Sequence, residues 1–135
     1  MHSVLYIDDE PKLLEIGKLF LEISHELSLD TKTSAQDGLQ AMKLHHYDAI
    51  VSDYQMPKIN GIEFLKEVRS IYGDIPFIIF TGKGREEVVI EALNNGADFY
   101  LQKGGEPNIV YPELMHVIKR AILMRETQLS FAEQE

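Results

Sequence analysis

The sequence predicts an α/β fold: one parallel sheet of five strands in the order 2-1-3-4-5, with helices on both faces. Three observations carry this. Strand-like and helix-like segments alternate five times along the 135 residues, the pattern that right-handed crossovers wind into a parallel sheet. Three of the strand segments are unbroken apolar runs, as strands covered on both faces are. The other two are weaker and suit the sheet edges, where that order places them.

The first strand is read at residues 3–8 (SVLYID), rich in Val, Leu and Ile. Pro11 opens the first helix, with Leu13, Ile16, Phe20 and Ile23 on one face. Residues 27–33 (LSLDTKT) alternate apolar and polar, the pattern of an edge strand. Ser34 with Asp37 resembles a capping box before Leu39 and Met42. The third strand is read at residues 49–53 (AIVSD), and Asn60 with Glu63 repeats the capping device before Leu65, Val68 and Ile71. Residues 76–81 (PFIIFT) form the fourth strand. A fourth helix carries Val88, Ala92 and Leu93 and stops at Asn94-Asn95-Gly96. Residues 97–102 (ADFYLQ) are the other edge strand, and Pro112 starts a fifth helix with Leu114, Val117, Ile118 and Ala121 facing inward. The strand order expected is that of the flavodoxin-like arrangement.

No internal repeat or interdomain linker interrupts the pattern, so residues 1–125 are assigned to one domain and 126–135 to a polar, helical tail or linker. The tail has no Gly or Pro, and the fifth helix is expected to run past Arg125 by at least one turn. A lone extension of that length is marginal in water. Leu129 or Phe131 is therefore expected against a partner, a second copy of the chain or a following domain. Met124, Gln128 and Phe131 recur at heptad-like intervals, a weak seam.

Hydrophobic residues make up 44% of the chain and charged residues 26%, the balance of a globular protein with a core. There is no cysteine, which excludes a thiol nucleophile and a thiolate zinc site. Lys and Arg total 13 against 22 Asp and Glu, a net charge of −9. Whether this acidity repels phosphate backbones or only aids solubility, it lacks the basic stripe of a nucleic-acid binder. No apolar run approaches the ~20 residues of a membrane span. The opening MHSVLYIDDE lacks the basic and long apolar regions of a secretory signal, so a cytoplasmic protein is expected.

In an open parallel sheet, ligands bind at the carboxyl ends of the strands where the strand order reverses. The first strand ends in Asp8 and Asp9, followed by Glu10; the third ends in Asp53; Thr81 closes the fourth and Lys103 follows the fifth. Three carboxylates packed together repel unless a cation compensates. Oxygen ligands without Cys or His favour a hard ion, and Mg²⁺ keeps positions open for phosphoryl oxygens. An aspartate beside such an ion can attack phosphorus and form an acyl phosphate. Lys103 then offers a point charge and Thr81 a hydroxyl donor. Any one of these residues alone is read as a cap or a loop residue; the joint pattern is what points to chemistry.

The segments VLYIDDEP, VSDYQMPKINGIEF, FIIFTGKG and ADFYLQKG resemble the signature segments of response-regulator receiver domains, over residues 3 to about 125. The resemblance implies that Asp53 is the phospho-acceptor, supplied by a sensor histidine kinase. It implies that Asp9 and Asp53 bind Mg²⁺ through side chains, Gln55 through its backbone carbonyl, and Asp8 through water. Thr81 and Lys103 match the residues that grip the phosphoryl group. Gly82 matches a position kept small, Met56-Pro57 and Gly61 match the turn after the acceptor, and Tyr100 matches a switch aromatic. Such a domain catalyses only its own phosphorylation and dephosphorylation and passes the signal to a downstream domain or protein.

Two departures stand out. The family's Lys is usually followed by a cis proline and an aromatic, whereas here Gly104-Gly105-Glu106-Pro107 follow, and the loop to the last helix is expected to be longer than usual. Gln55 and Lys83 occupy positions that vary in the family and tune acyl phosphate lifetime; as residues they read equally as a solvated loop pair. His25, His45, His46 and His116 read as surface residues, and the Gly82-x-Gly84 pair is too short for a nucleotide loop. The rival functions are a non-phosphorylated pseudo-receiver module of the same fold and a phosphohydrolase with an aspartyl nucleophile. The second class places another acid two residues after the nucleophile, where this chain has Gln55.

Overall fold

A computed structural model of the chain describes residues 1–82 and 84–134. Its elements are β1 (His2–Ile7), α1 (Pro11–Glu22), β2 (Leu27–Lys32), α2 (Ala35–Leu44), β3 (Ala49–Ser52), α3 (Gly61–Tyr72), β4 (Phe77–Thr81), α4 (Glu86–Asn94), β5 (Phe99–Gln102) and α5 (Pro107–Gln134). All pairings are parallel and the order is β2-β1-β3-β4-β5, as the sequence predicts.

Strand alternation divides the interior in two. Val4 and Tyr6 of β1, Val51 of β3 and Ile78 and Phe80 of β4 face α1 and α5. Their neighbours Leu5, Ile7, Ile50, Phe77 and Ile79 face α2, α3 and α4. The central strands are buried on both faces, which is why they read as unbroken apolar runs. In β2 only Leu27 and Leu29 are buried while Ser28 and Asp30 are exposed, the alternation of an edge. Each fully buried Leu or Ile contributes about 1.5–3 kcal/mol, so the sheet rests on these residues more than on its edges.

The helix starts follow local chemistry. Asn60 accepts from the amides of Ile62 and Glu63, and Glu63 accepts from the Asn60 amide, so α3 opens on a complete capping box. At Ser34 only half the device forms: its hydroxyl accepts from the Asp37 amide at 3.1 Å.

Three expectations need correcting. The buried face of α1 is Leu14, Gly17 and Leu21, while Ile16 and Ile23 are exposed. Gly17 decides this: a Cβ there would lie 2.6 Å from the Tyr6 ring and 3.1 Å from Tyr111, so the helix seats closely on its glycine side. Ile71 and Leu93 likewise end exposed, while their neighbours Tyr72 and Ala92 make the contact with the core. Finally, α5 begins at Pro107, not Pro112, so only residues 103–106 separate it from β5. Pro107 suits a first helical position and Pro112 is accommodated inside the helix, where it costs one backbone donor. The helix runs on through the tail, where Leu129 and Phe131 are exposed.

Candidate functional site

Register places the site. Ile7 of β1 lies opposite Ser52 of β3, so the residues that follow them, Asp8 and Asp53, emerge side by side. The Asp53 amide donates to the Ile7 carbonyl at 2.9 Å, carrying the ladder one step past the strands. Asp8 is fully buried and Asp53 nearly so. With the less buried Asp9, each offers a carboxylate oxygen within 4.8 Å of the others. Thr81, at the end of β4, is fully buried beside them.

Lys103 reaches in from the end of β5, where its amide donates to the Thr81 carbonyl at 3.0 Å. Its ammonium donates to Asp8 and, at 3.3 Å, to Asp53 Oδ2. It also lies 5.6 Å from the centre of the Phe80 ring, which walls it from the core. Asp53 Oδ1 accepts from the Tyr54 amide at 2.7 Å, which fixes the plane of the carboxylate. Asp8 Oδ1 accepts from the Glu10 amide at 3.0 Å.

The loop from β3 to α3 forms the opposite wall. Lys58 adopts a φ of 69°, and the Ile59 amide turns back to the Pro57 carbonyl at 2.8 Å. The Gly61 amide donates to Tyr54 at 2.7 Å; a Cβ at Gly61 would overlap the Asp53 carbonyl and lie 2.9 Å from Tyr54 Cα. Glycine is therefore required there by contact with the Asp53 backbone.

A cleft of about 540 Å³ opens above these groups, lined by Asp9, Asp53, Gln55, Thr81, Gly82 and Lys103 among others. Of the residues singled out in sequence, Asp8 is buried against Lys103 and the other two carboxylates without lining the cleft, and Tyr100 stands apart. Tyr100 is half-buried on the α2–α4 side of the sheet. Lys83 lies outside the described residues. Leu13 and Phe80 also border the cleft or its lysine and were not anticipated; in sequence each is simply an apolar residue of its element.

Burial raises the Asp8 carboxyl above its ordinary range, and the hydrogen bonds from Lys103 and the Glu10 amide only partly offset this. For Lys103 burial acts downward, but the hydrogen bond to Asp8 and the charges of Asp53 and Asp8 outweigh it, and its pKa is raised. One ammonium, paired with Asp8 and Asp53, thus serves a cluster of three carboxylates. An all-oxygen set with excess negative charge fits a hard divalent cation such as Mg²⁺.

Comparison with known proteins points one way. The family model described as "Response regulator receiver domain" matches residues 4–114. The response regulator ArlR of Staphylococcus aureus is 36% identical over 129 residues, covering 95% of this chain and 55% of its own length. The chain thus spans about half the length of the curated relatives it matches. A response regulator receiver domain protein from Clostridium thermocellum superposes with a TM-score of 0.84 at 30% identity, over 95% of this chain and 99% of its own. Chemotaxis response regulator CheY4 of Vibrio cholerae gives a TM-score of 0.75 at 28% identity, over 87% and 98%.

Proposed function

Because the chain belongs to the response regulator receiver domain family of two-component signalling, we propose that Asp53 accepts a phosphoryl group from a histidine kinase in a Mg²⁺-dependent reaction. The observation that supports this most is that Asp53, at the cleft, is in reach of the Lys103 ammonium and clusters with the carboxylates of Asp8 and Asp9.

In the step proposed, a carboxylate oxygen of Asp53 attacks phosphorus as the bond from phosphorus to the donor's nitrogen breaks. The donor leaves with that electron pair, and water later hydrolyses the acyl phosphate. The Tyr54 amide holds Oδ1, leaving Oδ2 on the side of Lys103. Lys103 then turns its charge to the phosphoryl oxygens, and Thr81 supplies a hydroxyl donor. Asp9 and Asp53 would hold Mg²⁺ directly with the Gln55 carbonyl, and Asp8 through water. The ion would neutralise charge on the transferring group. The domain acts on itself alone, so it is a timed switch and not a metabolic enzyme.

Phosphate on Asp53 gives the Thr81 hydroxyl a new acceptor, and Tyr100 responds, altering the face formed by α4, β5 and α5. A ligand shifts such an equilibrium only by its differential affinity for the two states. Residues 1–125 constitute the switching domain, and the helical tail is its connector to an output region or to a second copy. The pseudo-receiver alternative finds no supporting feature, since the acidic pair and Lys103 are all in place. Where a phosphohydrolase would carry its second acid, Gln55 stands exposed at the cleft.

Incubation with Mg²⁺ and acetyl phosphate should add one phosphoryl group, read by intact mass. Asp53→Asn should abolish it, and Asp9→Ala should weaken Mg²⁺ binding. Stoichiometric labelling of the Asp53→Asn protein would sink the assignment.

A further inference from the structure

The Tyr100 hydroxyl is buried and has no hydrogen-bond partner among the described residues. A polar atom in that position is held by packing, since an unmade hydrogen bond works against it. What it packs against is Gly84, in the loop from β4 to α4. A Cβ built at Gly84 would fall on the Tyr100 hydroxyl oxygen, 2.5 Å from Cζ and 3.0 Å from Cε1 of the same ring. The backbone of Gly84 is not in the left-handed region, so space and not φ excludes a side chain there. Gly82 in the same loop makes the contrast: a Cβ there would meet Lys103 only at ordinary distances of 3.7 and 3.9 Å.

We propose that Gly84 is a positioning residue: the space left by its missing side chain is the socket that seats Tyr100 inward. Any side chain at this position drives the ring out. As a control on output, this socket rests on Tyr100 being the switch; as geometry, it does not.

The test uses the full chain labelled with 3-fluorotyrosine, the Tyr100 signal being identified by its loss in Tyr100→Phe. In the parent, the Tyr100 ¹⁹F resonance should be insensitive to exchange of H₂O for D₂O. In Gly84→Ala it should move and become solvent-sensitive, while the signals of buried Tyr6 and Tyr111 stay in place. A Tyr100 signal unchanged in position and in solvent sensitivity would overturn the proposal. Thermal midpoints give a second test that survives a poorly folded single variant. Gly84→Ala should lower the midpoint by several degrees in the parent and have almost no effect in a Tyr100→Leu background. Equal losses in both backgrounds would also overturn it. Acetyl phosphate labelling, run in parallel, reports on Asp53 alone: an unlabelled parent would refute the phosphoryl-transfer function without touching the tyrosine result.

Discussion

At the scale of single residues, one ammonium answers two buried carboxylates. The Lys103 side chain is only 17% exposed and that of Asp8 is fully buried, so neither charge is well solvated. Removing one partner of such a pair leaves the other desolvated, at a cost of about 3 kcal/mol. Lys103→Met should therefore lose stability on that scale in urea denaturation with a chelator present, and adding Asp8→Asn should recover much of it. A single variant as stable as the parent would show that the pair contributes nothing. The upward shift of Asp8 fixes a further sign. An acid whose pKa is raised by folding contributes stability that is present below its ordinary value and is lost as pH rises through the folded one. The metal-free domain should thus carry this penalty at neutral pH, where a dication would relieve it. Saturating Mg²⁺ should raise the thermal midpoint at pH 7 and progressively less toward pH 4, as the carboxylates protonate. An Mg²⁺ increment that is flat across this range would contradict the assignment of these carboxylates to the ion.

At the scale of elements, the loop from β3 to α3 joins Asp53 to the start of α3 through one close contact. Gly61 lies against the Asp53 carbonyl, and the capping box of Asn60 and Glu63 fixes the start of α3 beside it. Gly61→Ala should move this loop, costing roughly 1–3 kcal/mol as overpacking does and weakening Mg²⁺ binding; calorimetry with Mg²⁺ checks both. Gly61 was legible in sequence as a turn residue, but the reason for it was not, because the clash is with backbone that only the fold brings near. The same limit explains α1. Leu13, Ile16, Phe20 and Ile23 make as regular a stripe as Leu14, Gly17 and Leu21, and periodicity alone does not choose between them. The choice is made by Tyr6 and Tyr111, which leave room only for a glycine. For α5, two prolines competed as the first helical residue, and Pro107 prevailed because Pro112 is tolerated one turn in.

At the scale of the whole molecule, the sheet order brings the ends of β1, β3, β4 and β5 to one cleft, and this was legible because each strand ends in a polar residue. Asp8, Asp53, Thr81 and Lys103 are read straight from those ends, whereas the Tyr100 socket depends on residues 84 and 100 meeting across α4 and was invisible in the chain. The tail is the part least tied to the rest: Leu129 and Phe131 are exposed, and beyond Glu126, which faces His2 at 3.7 Å, no ion pair joins the described residues of the tail to the body. Truncation after Glu126 should accordingly change the unfolding free energy measured in urea by less than about 1 kcal/mol while lowering helical ellipticity; a larger loss would mean that the tail stabilises the domain. What the fold assembles at its carboxyl edge is tested most directly by trapping. The chain is incubated with Mg²⁺ and acetyl phosphate, reduced with borohydride, which converts an acyl phosphate to an alcohol, and its peptides are sequenced by mass spectrometry. The expected product is homoserine at position 53 and nowhere else; an unmodified Asp53, or reduction at Asp8 or Asp9 in its place, would contradict the assignment of Asp53 as the phospho-acceptor.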